Sequence, residues 1–198
     1  MTRLRKLDVD ELAPELRALL RADERSDLEL GLNRIFAVRP ELVEGLAAFG
    51  GALKRHRTLP DRLVELVRLR IAYRNQCRSC MAIRYADAVE AGVTEDLVCQ
   101  LEAPEAAQDL TAAEKAAVDF GERMASDHLS IDDAAYDRLR EHFTEAEIVE
   151  LGLFAALCVG IGRLAATLHM VEELPEPFRA AAYGERLSPW ANDSVIVR

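Results

Sequence analysis

The sequence predicts an all-α fold, a single-domain bundle of several helices without a significant sheet. Helix-starting signals recur along the chain. Three segments place a hydroxyl residue three positions before an acidic one, which is typical of an N-cap with an acidic side chain at N3: Thr111-Ala-Ala-Glu114, Ser130-Ile-Asp-Asp133 and Thr144-Glu-Ala-Glu147. Strand-forming runs are scarce, and the β-like one is Val195-Ile-Val197 near the C-terminal end.

The apolar pattern between these signals predicts helices over about 9–23, 26–37, 40–54, 60–75, 77–91, 94–102, 111–127, 132–141 and 144–172. Pro40 and Pro60 suit the first turn of a helix, where a missing backbone N–H costs nothing, and Gly92 suits a C-terminal stop. Three prolines and a tryptophan then occupy the last segment. We therefore expect one domain over residues 1–198, with an irregular tail from about residue 175.

The composition limits the classes of partner that the protein is expected to bind. The 198 residues are 50% hydrophobic and 30% charged, an ordinary globular balance, with a formal net charge of -10. An acidic surface repels phosphate backbones and anionic lipid, so neither nucleic acid nor a membrane is an expected partner. The apolar stretch over 151–171 is long enough to span a membrane, but Arg163 lies at its middle and glycines interrupt it. A buried helix of a soluble bundle is the better interpretation. Residues 1–12 lack the apolar core of a secretory signal, so a cytoplasmic location is expected.

The motif Cys77-Arg78-Ser79-Cys80 is the feature with distinctive chemistry. On a helix, the rotation per residue places Cys77, Cys80 and Arg84 in one sector. Asn75-Gln76 predicts a break just before, so the pair would lie in a first turn, where free N–H groups and the helix dipole stabilise a thiolate. The sequence therefore predicts a thiol–disulfide site within disulfide reach, a Cα separation of about 4.4–6.8 Å, with Arg84 beside the sulfurs.

Glu65 lies on a predicted helix that is apolar around most of its circumference, so its carboxylate needs a partner. Arg68 at i+3 is one candidate, and a cation from another segment is the other. A zinc site would need a second cysteine pair or a suitably spaced histidine pair, whereas Cys99, Cys158 and the histidines are scattered. We expect no metal and no cofactor, with Cys99 and Cys158 as small buried side chains.

The spacing of Glu65, Cys77-x-x-Cys80 and Arg84 resembles the alkylhydroperoxidase D (AhpD) and carboxymuconolactone decarboxylase superfamily. The sequence Glu-Leu-Val-Arg-Leu-Arg…Asn-Gln-Cys-Arg-Ser-Cys-Met-Ala is similar to that of the peroxidase-related branch of this superfamily, and the strong match covers about residues 59–92. The resemblance implies an AhpD-like all-α homo-oligomer, a trimer, dimer or hexamer, with peroxidase activity recycled by a disulfide reductant. It implies Cys80 as the peroxide-attacking thiol, Cys77 as the resolving thiol and Glu65 as part of a proton relay.

The chain departs from that family at Arg84, where the best-known members place a histidine. Arginine stays protonated at any working pH and cannot shuttle a proton, but it can hold a thiolate or orient a peroxide oxygen. We therefore expect Arg84 to form a buried salt bridge with Glu65 beside the cysteines, in place of the carboxylate–histidine contact that the resemblance implies.

These observations favour a thiol-dependent hydroperoxidase that uses a small-molecule hydroperoxide and a disulfide reductant. The order of the two thiols stays open on physical grounds, because the helix dipole favours Cys77 whereas Arg84 and the resemblance favour Cys80. Three alternatives also stay open: a disulfide reductase, a redox-sensing oligomer without turnover, and a cofactor-free decarboxylase of the carboxymuconolactone type.

Overall fold

A computed structural model of the chain describes residues 2–182, 184–190 and 192–198. Its α-helices are α1 (Pro14–Leu19), α2 (Asp27–Phe36), α3 (Pro40–Arg55), α4 (Asp61–Asn75), α5 (Arg78–Ala82), α6 (Ala86–Glu90), α7 (Glu95–Gln100), α8 (Ala112–Ser126), α9 (Asp133–Arg140), α10 (Glu145–Leu168) and α11 (Glu176–Ala180). Single 3₁₀ turns cover Val9–Glu11, Pro104–Ala106 and His128–Ser130, and two short strands, β1 (Ile83–Tyr85) and β2 (Val195–Val197), complete the described chain. The all-α prediction is confirmed.

Local capping explains where the long helices begin. Thr111 and Thr144 each accept a hydrogen bond from the N3 backbone N–H, and the N3 glutamate bonds back, so both predicted capping boxes are present. The third predicted cap is displaced, because Ser130 closes a 3₁₀ turn and the side chain of Asp132 caps α9 instead. Gly92 ends the α6 segment with φ 94°, a left-handed conformation that suits glycine.

Helix α4 lies at the centre of the fold, packed against α8 and α10. Most of its residues are buried, including the apolar side chains Leu66, Val67, Leu69 and Ile71 at 0% exposure. The approach of α8 is close at Gly121, where a Cβ atom would come within 2.8 Å of Val67 Cγ1. This packing makes α4 the rigid support from which the following segment projects.

Helix α10 is long and apolar enough, by length and composition alone, to cross a membrane. It is only partly buried, since 28% of its apolar stretch lies inside the fold. One face packs into the bundle through Leu151, Ala155 and Gly162. Arg163 donates to Asn75 Oδ1 at 3.1 Å and to the Ala125 carbonyl, which ties α10 to α4 and α8. The opposite face is exposed, so the expected full burial of this helix is found on one side only.

The segment after Cys80 differs from the predicted helix over 77–91. Helix α5 ends at Ala82, and β1 follows, paired in parallel with β2: Ile83 with Val195, Arg84 with Ile196 and Tyr85 with Val197. The tail expected to be irregular from about residue 175 therefore contains α11 and a strand. Pairing with a remote segment overrides the local helical pattern, because β-branched and aromatic residues on both strands suit an extended backbone.

Candidate active site

Cys77 and Cys80 sit at the start of α5 and are joined by a disulfide, with a Cα separation of 5.2 Å. Helix α4 stops because Gln76 adopts a left-handed conformation (φ 52°), and the Cys77 N–H then donates to the Ala72 carbonyl at 3.1 Å. The chain turns at that point, and α5 begins one residue later. The predicted break and the predicted disulfide reach are both confirmed.

The two sulfur-bearing residues differ in access. Cys77 is fully buried (0% exposed), whereas Cys80 is half-buried and lines a pocket of about 340 Å³. Apolar side chains of α2, α3 and α10 form much of the pocket wall, among them Leu28, Leu46 and Leu157. A small molecule in this pocket therefore meets Cys80 rather than Cys77.

Glu65 does not pair with Arg84. Both of its carboxylate oxygens accept hydrogen bonds from Arg68, from Nε at 2.7 Å and from Nη2 at 2.7 Å. The pair is buried, with side-chain exposures of 2% for Glu65 and 9% for Arg68. The predicted Glu65–Arg84 salt bridge is therefore wrong, and the i+3 partner on the same helix takes its place. That neighbour already satisfies the carboxylate without a long-range contact.

Arg68 also reaches the cysteine segment. Its Nη1 donates to the Cys80 carbonyl at 2.6 Å, and Nη2 donates to the Ile83 carbonyl at 2.9 Å. These carbonyls lie at the end of α5, where intrahelical donors run out. Burial lowers the pKa of Arg68, but the charge and hydrogen bonds of Glu65 outweigh it, so the pKa lies above its usual value and the guanidinium stays charged. Arg68 thus connects the buried Glu65 carboxylate to the backbone of the turn over residues 77–80, which we call the redox turn.

Arg84 is buried on β1 and points toward the C-terminal segment. Its guanidinium donates to both carboxylate oxygens of Glu95, each at 3.0 Å, and to the carbonyls of Met81 at 2.7 Å and Pro189 at 3.0 Å. Because β1 interrupts the helix, Arg84 does not occupy the i+4 position above Cys80. Its predicted place beside the sulfurs is therefore wrong, for the same reason that the helix over 77–91 is interrupted.

Two residues to which the sequence assigned no functional role share the pocket with Cys80. Tyr85 lies against Arg68, whose Cζ is 5.1 Å from the centroid of the tyrosine ring. Burial raises the pKa of the Tyr85 hydroxyl. Cys158 of α10 is half-buried, and loss of water around its thiol raises its pKa to about 12. At neutral pH Cys158 is therefore a protonated thiol. Cys99, expected to be buried, is exposed, because it falls on the outer side of α7.

Metal-binding side chains are not grouped in the part of the chain that the structure describes: no three or more of His, Cys, Asp and Glu are placed to hold an ion there. The chemistry that the described site can supply is that of a dithiol–disulfide pair beside a buried ion pair.

Comparison with known proteins agrees with this geometry. Residues 40–123 match the family model described as "Carboxymuconolactone decarboxylase family", a span that includes Glu65 and both cysteines of the disulfide. The uncharacterized protein Rv2313c of Mycobacterium tuberculosis is 34% identical over 110 residues, which cover 53% of this chain and 38% of that protein. The uncharacterized protein YdfG of Bacillus subtilis is 31% identical over 90 residues, covering 45% of this chain and 61% of that protein. The matched region thus spans less than two thirds of each relative.

Solved structures show the same fold at low identity. A peroxidase-related protein with an alkylhydroperoxidase AhpD core from Ralstonia eutropha JMP134 has a TM-score of 0.71 and 19% identity, covering 90% of this chain and 94% of that one. The debrominase Bmp8, as a cysteine-to-alanine variant in complex with 2,3,4-tribromopyrrole, has a TM-score of 0.71 and 17% identity, covering 91% and 95%. A peroxidase-related protein from Silicibacter sp. TM1040 has a TM-score of 0.69 and 18% identity, covering 90% and 97%. The chain therefore has the AhpD-like fold, and its residues 40–123, which carry the cysteine pair, are similar to the carboxymuconolactone decarboxylase family.

Proposed function

We propose that this protein is a thiol-dependent hydroperoxidase in which Cys80 attacks the peroxide and Cys77 resolves it. The observation that carries the proposal is the unequal access of two bonded cysteines. Cys80 lines a pocket that a small molecule can enter, and Cys77 lies behind it, fully buried but within bonding distance. An attacking thiol needs access to its substrate, whereas a resolving thiol needs access only to its partner.

The proposed reaction has three steps. The Cys80 thiol loses its proton to solvent, and the thiolate attacks the outer peroxide oxygen. The O–O bond breaks, Cys80 becomes a sulfenic acid, and the leaving alkoxide takes a proton from solvent to form an alcohol. The Cys77 thiol then attacks the Cys80 sulfur, which forms the disulfide and releases water. A dithiol reductant finally exchanges with the disulfide, becomes oxidised itself and restores both thiols.

Glu65 and Arg68 are proposed as positioning residues in this cycle. Arg68 occupies both oxygens of the Glu65 carboxylate and holds the Cys80 carbonyl, so the pair fixes the end of α5. A carboxylate with both oxygens so engaged, and with no described contact to sulfur, acts through Arg68 on the position of Cys80. This differs from the proton relay that the family resemblance implies for Glu65.

The proposed partners are a small-molecule hydroperoxide, a disulfide reductant and further copies of this chain, and the proposed location is the cytoplasm. The exposed face of α10 supports the homo-oligomer. Val149, Leu153 and Leu164 are 59%, 46% and 44% exposed, and with Ala156 and Gly160 they form one apolar stripe along the helix. An apolar stripe of this length on a chain with net charge -10 fits another copy of itself better than an anionic membrane surface.

The test uses the reduced protein and cysteine variants. Cys80→Ser should abolish peroxide consumption in the presence of a dithiol. Cys77→Ser should consume about one equivalent and stop, with a sulfenic acid at Cys80 that a dimedone-type reagent traps. Cys99→Ser is the matched control, since that exposed cysteine lies outside the pocket, and it should keep wild-type turnover.

Each alternative function gives a different result in the same assay. A disulfide reductase would oxidise dithiols with a disulfide substrate but leave peroxide untouched. A redox-sensing oligomer would change its mass on oxidation without steady-state turnover. A cofactor-free decarboxylase would act equally well in the Cys80→Ser variant. If alkylation of the reduced protein at neutral pH marks Cys77 before Cys80, the two thiol roles must be exchanged.

A further inference from the structure

A second pocket, of about 480 Å³, adjoins the redox turn on a side rich in arginine. Arg74, Arg78, Arg163 and Arg186 all line it, together with Glu185 as an acidic side chain. A concentration of cationic side chains in one pocket is unexpected in a protein with a formal net charge of -10. It defines a local field that attracts an anionic group.

Three of these arginines keep an uncompensated charge. Arg78 donates to the carbonyls of Phe178, Ala181 and Ala182, and Arg163 donates to Asn75 Oδ1 and a carbonyl, so their partners are neutral. Arg186 is exposed. Among the described residues, no carboxylate lies within ion-pairing distance of any of the three, in contrast to Arg74, which pairs with Glu122. Neutral partners orient a guanidinium without cancelling its charge.

The arginine pocket and the Cys80 pocket share part of their walls. Asn75, Ser79, Ala165 and Met170 line both of them. Ser79 lies between the two cysteines, so the boundary between the pockets runs along the redox turn itself. One molecule that extends across this boundary would place an apolar part against Cys80 and a second part among the arginines.

We infer that the hydroperoxide substrate is amphipathic, with an apolar body in the Cys80 pocket and an anionic group, such as a carboxylate, bound by Arg78, Arg163 and Arg186. This inference rests on the proposed hydroperoxidase function and names its substrate class. The Cys80 pocket is mainly apolar and its acidic lining side chains are Glu29 and Glu173, the latter paired with Lys6, whereas the arginine pocket holds three arginines without a carboxylate partner among the described residues. The charged group is therefore directed to the arginine side. A planar guanidinium suits a carboxylate in particular.

The test compares a linoleic acid hydroperoxide with its methyl ester, which differ only in the charge of the head group. Binding of the corresponding hydroxy acid and hydroxy ester to the oxidised, disulfide form is measured first, so that affinity is known without turnover. The acid should bind about ten-fold more tightly than the ester, and raising the ionic strength from about 0.05 M to about 0.5 M should shrink that ratio. The same ratio should appear in kcat/KM with the hydroperoxides.

Arg186→Gln should lower the acid-to-ester ratio about five-fold, the size of one solvent-screened ion pair, and Arg186→Lys should restore most of it. Arg138→Gln, an exposed arginine of α9 outside both pockets, is the matched control and should leave the ratio unchanged. Equal affinities of acid and ester, or equal effects of the Arg186 and Arg138 variants, would overturn this inference even if both hydroperoxides are reduced. Selective binding of the acid without peroxide turnover would instead overturn the proposed peroxidase function and leave the anion site standing.

Discussion

Helices α4 and α10 pack against each other, but they distribute charge and exposure in opposite ways. Helix α4 takes Glu65, Arg68 and Arg70 into the interior, where each is less than 9% exposed. Helix α10 is the apolar helix of the two, yet Val149 and Leu153 on its outer face are 59% and 46% exposed. The more apolar of these two helices is therefore the more exposed one, so hydropathy alone does not predict which of them is buried.

The difference lies in what surrounds each helix. The α4 charges are buried because partners meet them: Arg68 pairs with Glu65, and Arg70 pairs with Glu122 and donates to the Leu101 carbonyl at 2.6 Å. A buried charge is tolerated where hydrogen bonds replace its water. Among the described residues, no other segment covers the outer face of α10. Its side chains form an apolar surface, the one that supports the proposed homo-oligomer.

Removing Arg68 should produce the largest loss of stability. Arg68→Met leaves the Glu65 carboxylate buried without its cation, so we expect the free energy of unfolding to fall by about 3–5 kcal/mol, measured by urea denaturation. Arg138→Met on α9 is the exposed control and should stay within about 0.5 kcal/mol of wild type. The double variant Glu65→Leu, Arg68→Met removes both charges and should recover part of the loss. A loss below about 1 kcal/mol in the single variant would contradict the buried-pair interpretation of α4.

Leu153→Glu, a substitution on the exposed face of α10, should weaken the association between copies of the chain. By light scattering at micromolar concentration, the wild type should have a mass of two or more chains of 22.0 kDa each. Burial of one leucine contributes about 1.5–3 kcal/mol to an interface, and a glutamate there adds repulsion between copies, so the variant should dissociate toward a single chain. Leu129→Glu, at a residue 85% exposed outside α10, is the control and should keep the wild-type mass. A wild-type mass of one chain would refute the homo-oligomer.

Glu122 gives the smallest effect, and one that depends on pH. Burial raises its pKa, but the hydrogen bonds and charges of Arg70 and Arg74 outweigh that and hold the pKa below its usual value. A carboxyl group with a lowered pKa in the folded state stabilises the fold above its unfolded pKa, near 4.3, and this contribution is lost as the pH falls through the lower folded pKa.

We therefore expect Glu122→Gln to lower the free energy of unfolding by about 1–2 kcal/mol at pH 7. The gap from wild type should narrow steadily as the pH is reduced below about 4. Glu24→Gln, at an exposed ion pair with Arg21, is the control, and it should change stability by less than about 0.5 kcal/mol at either pH. A gap that widens on acidification would show that Glu122 is not stabilised as an anion by Arg70 and Arg74.

The helical content and the close approach of the two cysteines could be predicted from the sequence because both depend on neighbours in the chain. Thr111 and Thr144 cap helices through bonds to residues three positions away. Cys77 and Cys80 come within 5.2 Å between Cα atoms because one helical turn separates them. The same local reasoning offered Arg68 as a partner for Glu65, and the family analogy to a histidine favoured Arg84 over it.

Arg84 shows why the rest could not be predicted. Arg84 lies four residues after Cys80, which would place it beside Cys80 on a continuous helix. However, β2, more than a hundred residues further along the chain, pairs with β1, and Arg84 contacts Glu95 and Pro189 instead. The arginine pocket has the same origin, since Arg78, Arg163 and Arg186 come from three distant segments. Contacts between segments so far apart in the chain cannot be predicted from a local sequence pattern.

The sequence by itself determined that this chain is helical, that its helices begin at particular caps, and that two cysteines lie one turn apart. These features depend on hydrogen bonds and side-chain contacts within a few residues, whose geometry is the same wherever the helix sits. Only the tertiary structure decided which cysteine faces a pocket, which arginine holds the carboxylate, and where the charges of four arginines gather. Those outcomes depend on packing between segments far apart in the chain, where burial selects partners that spacing does not reveal.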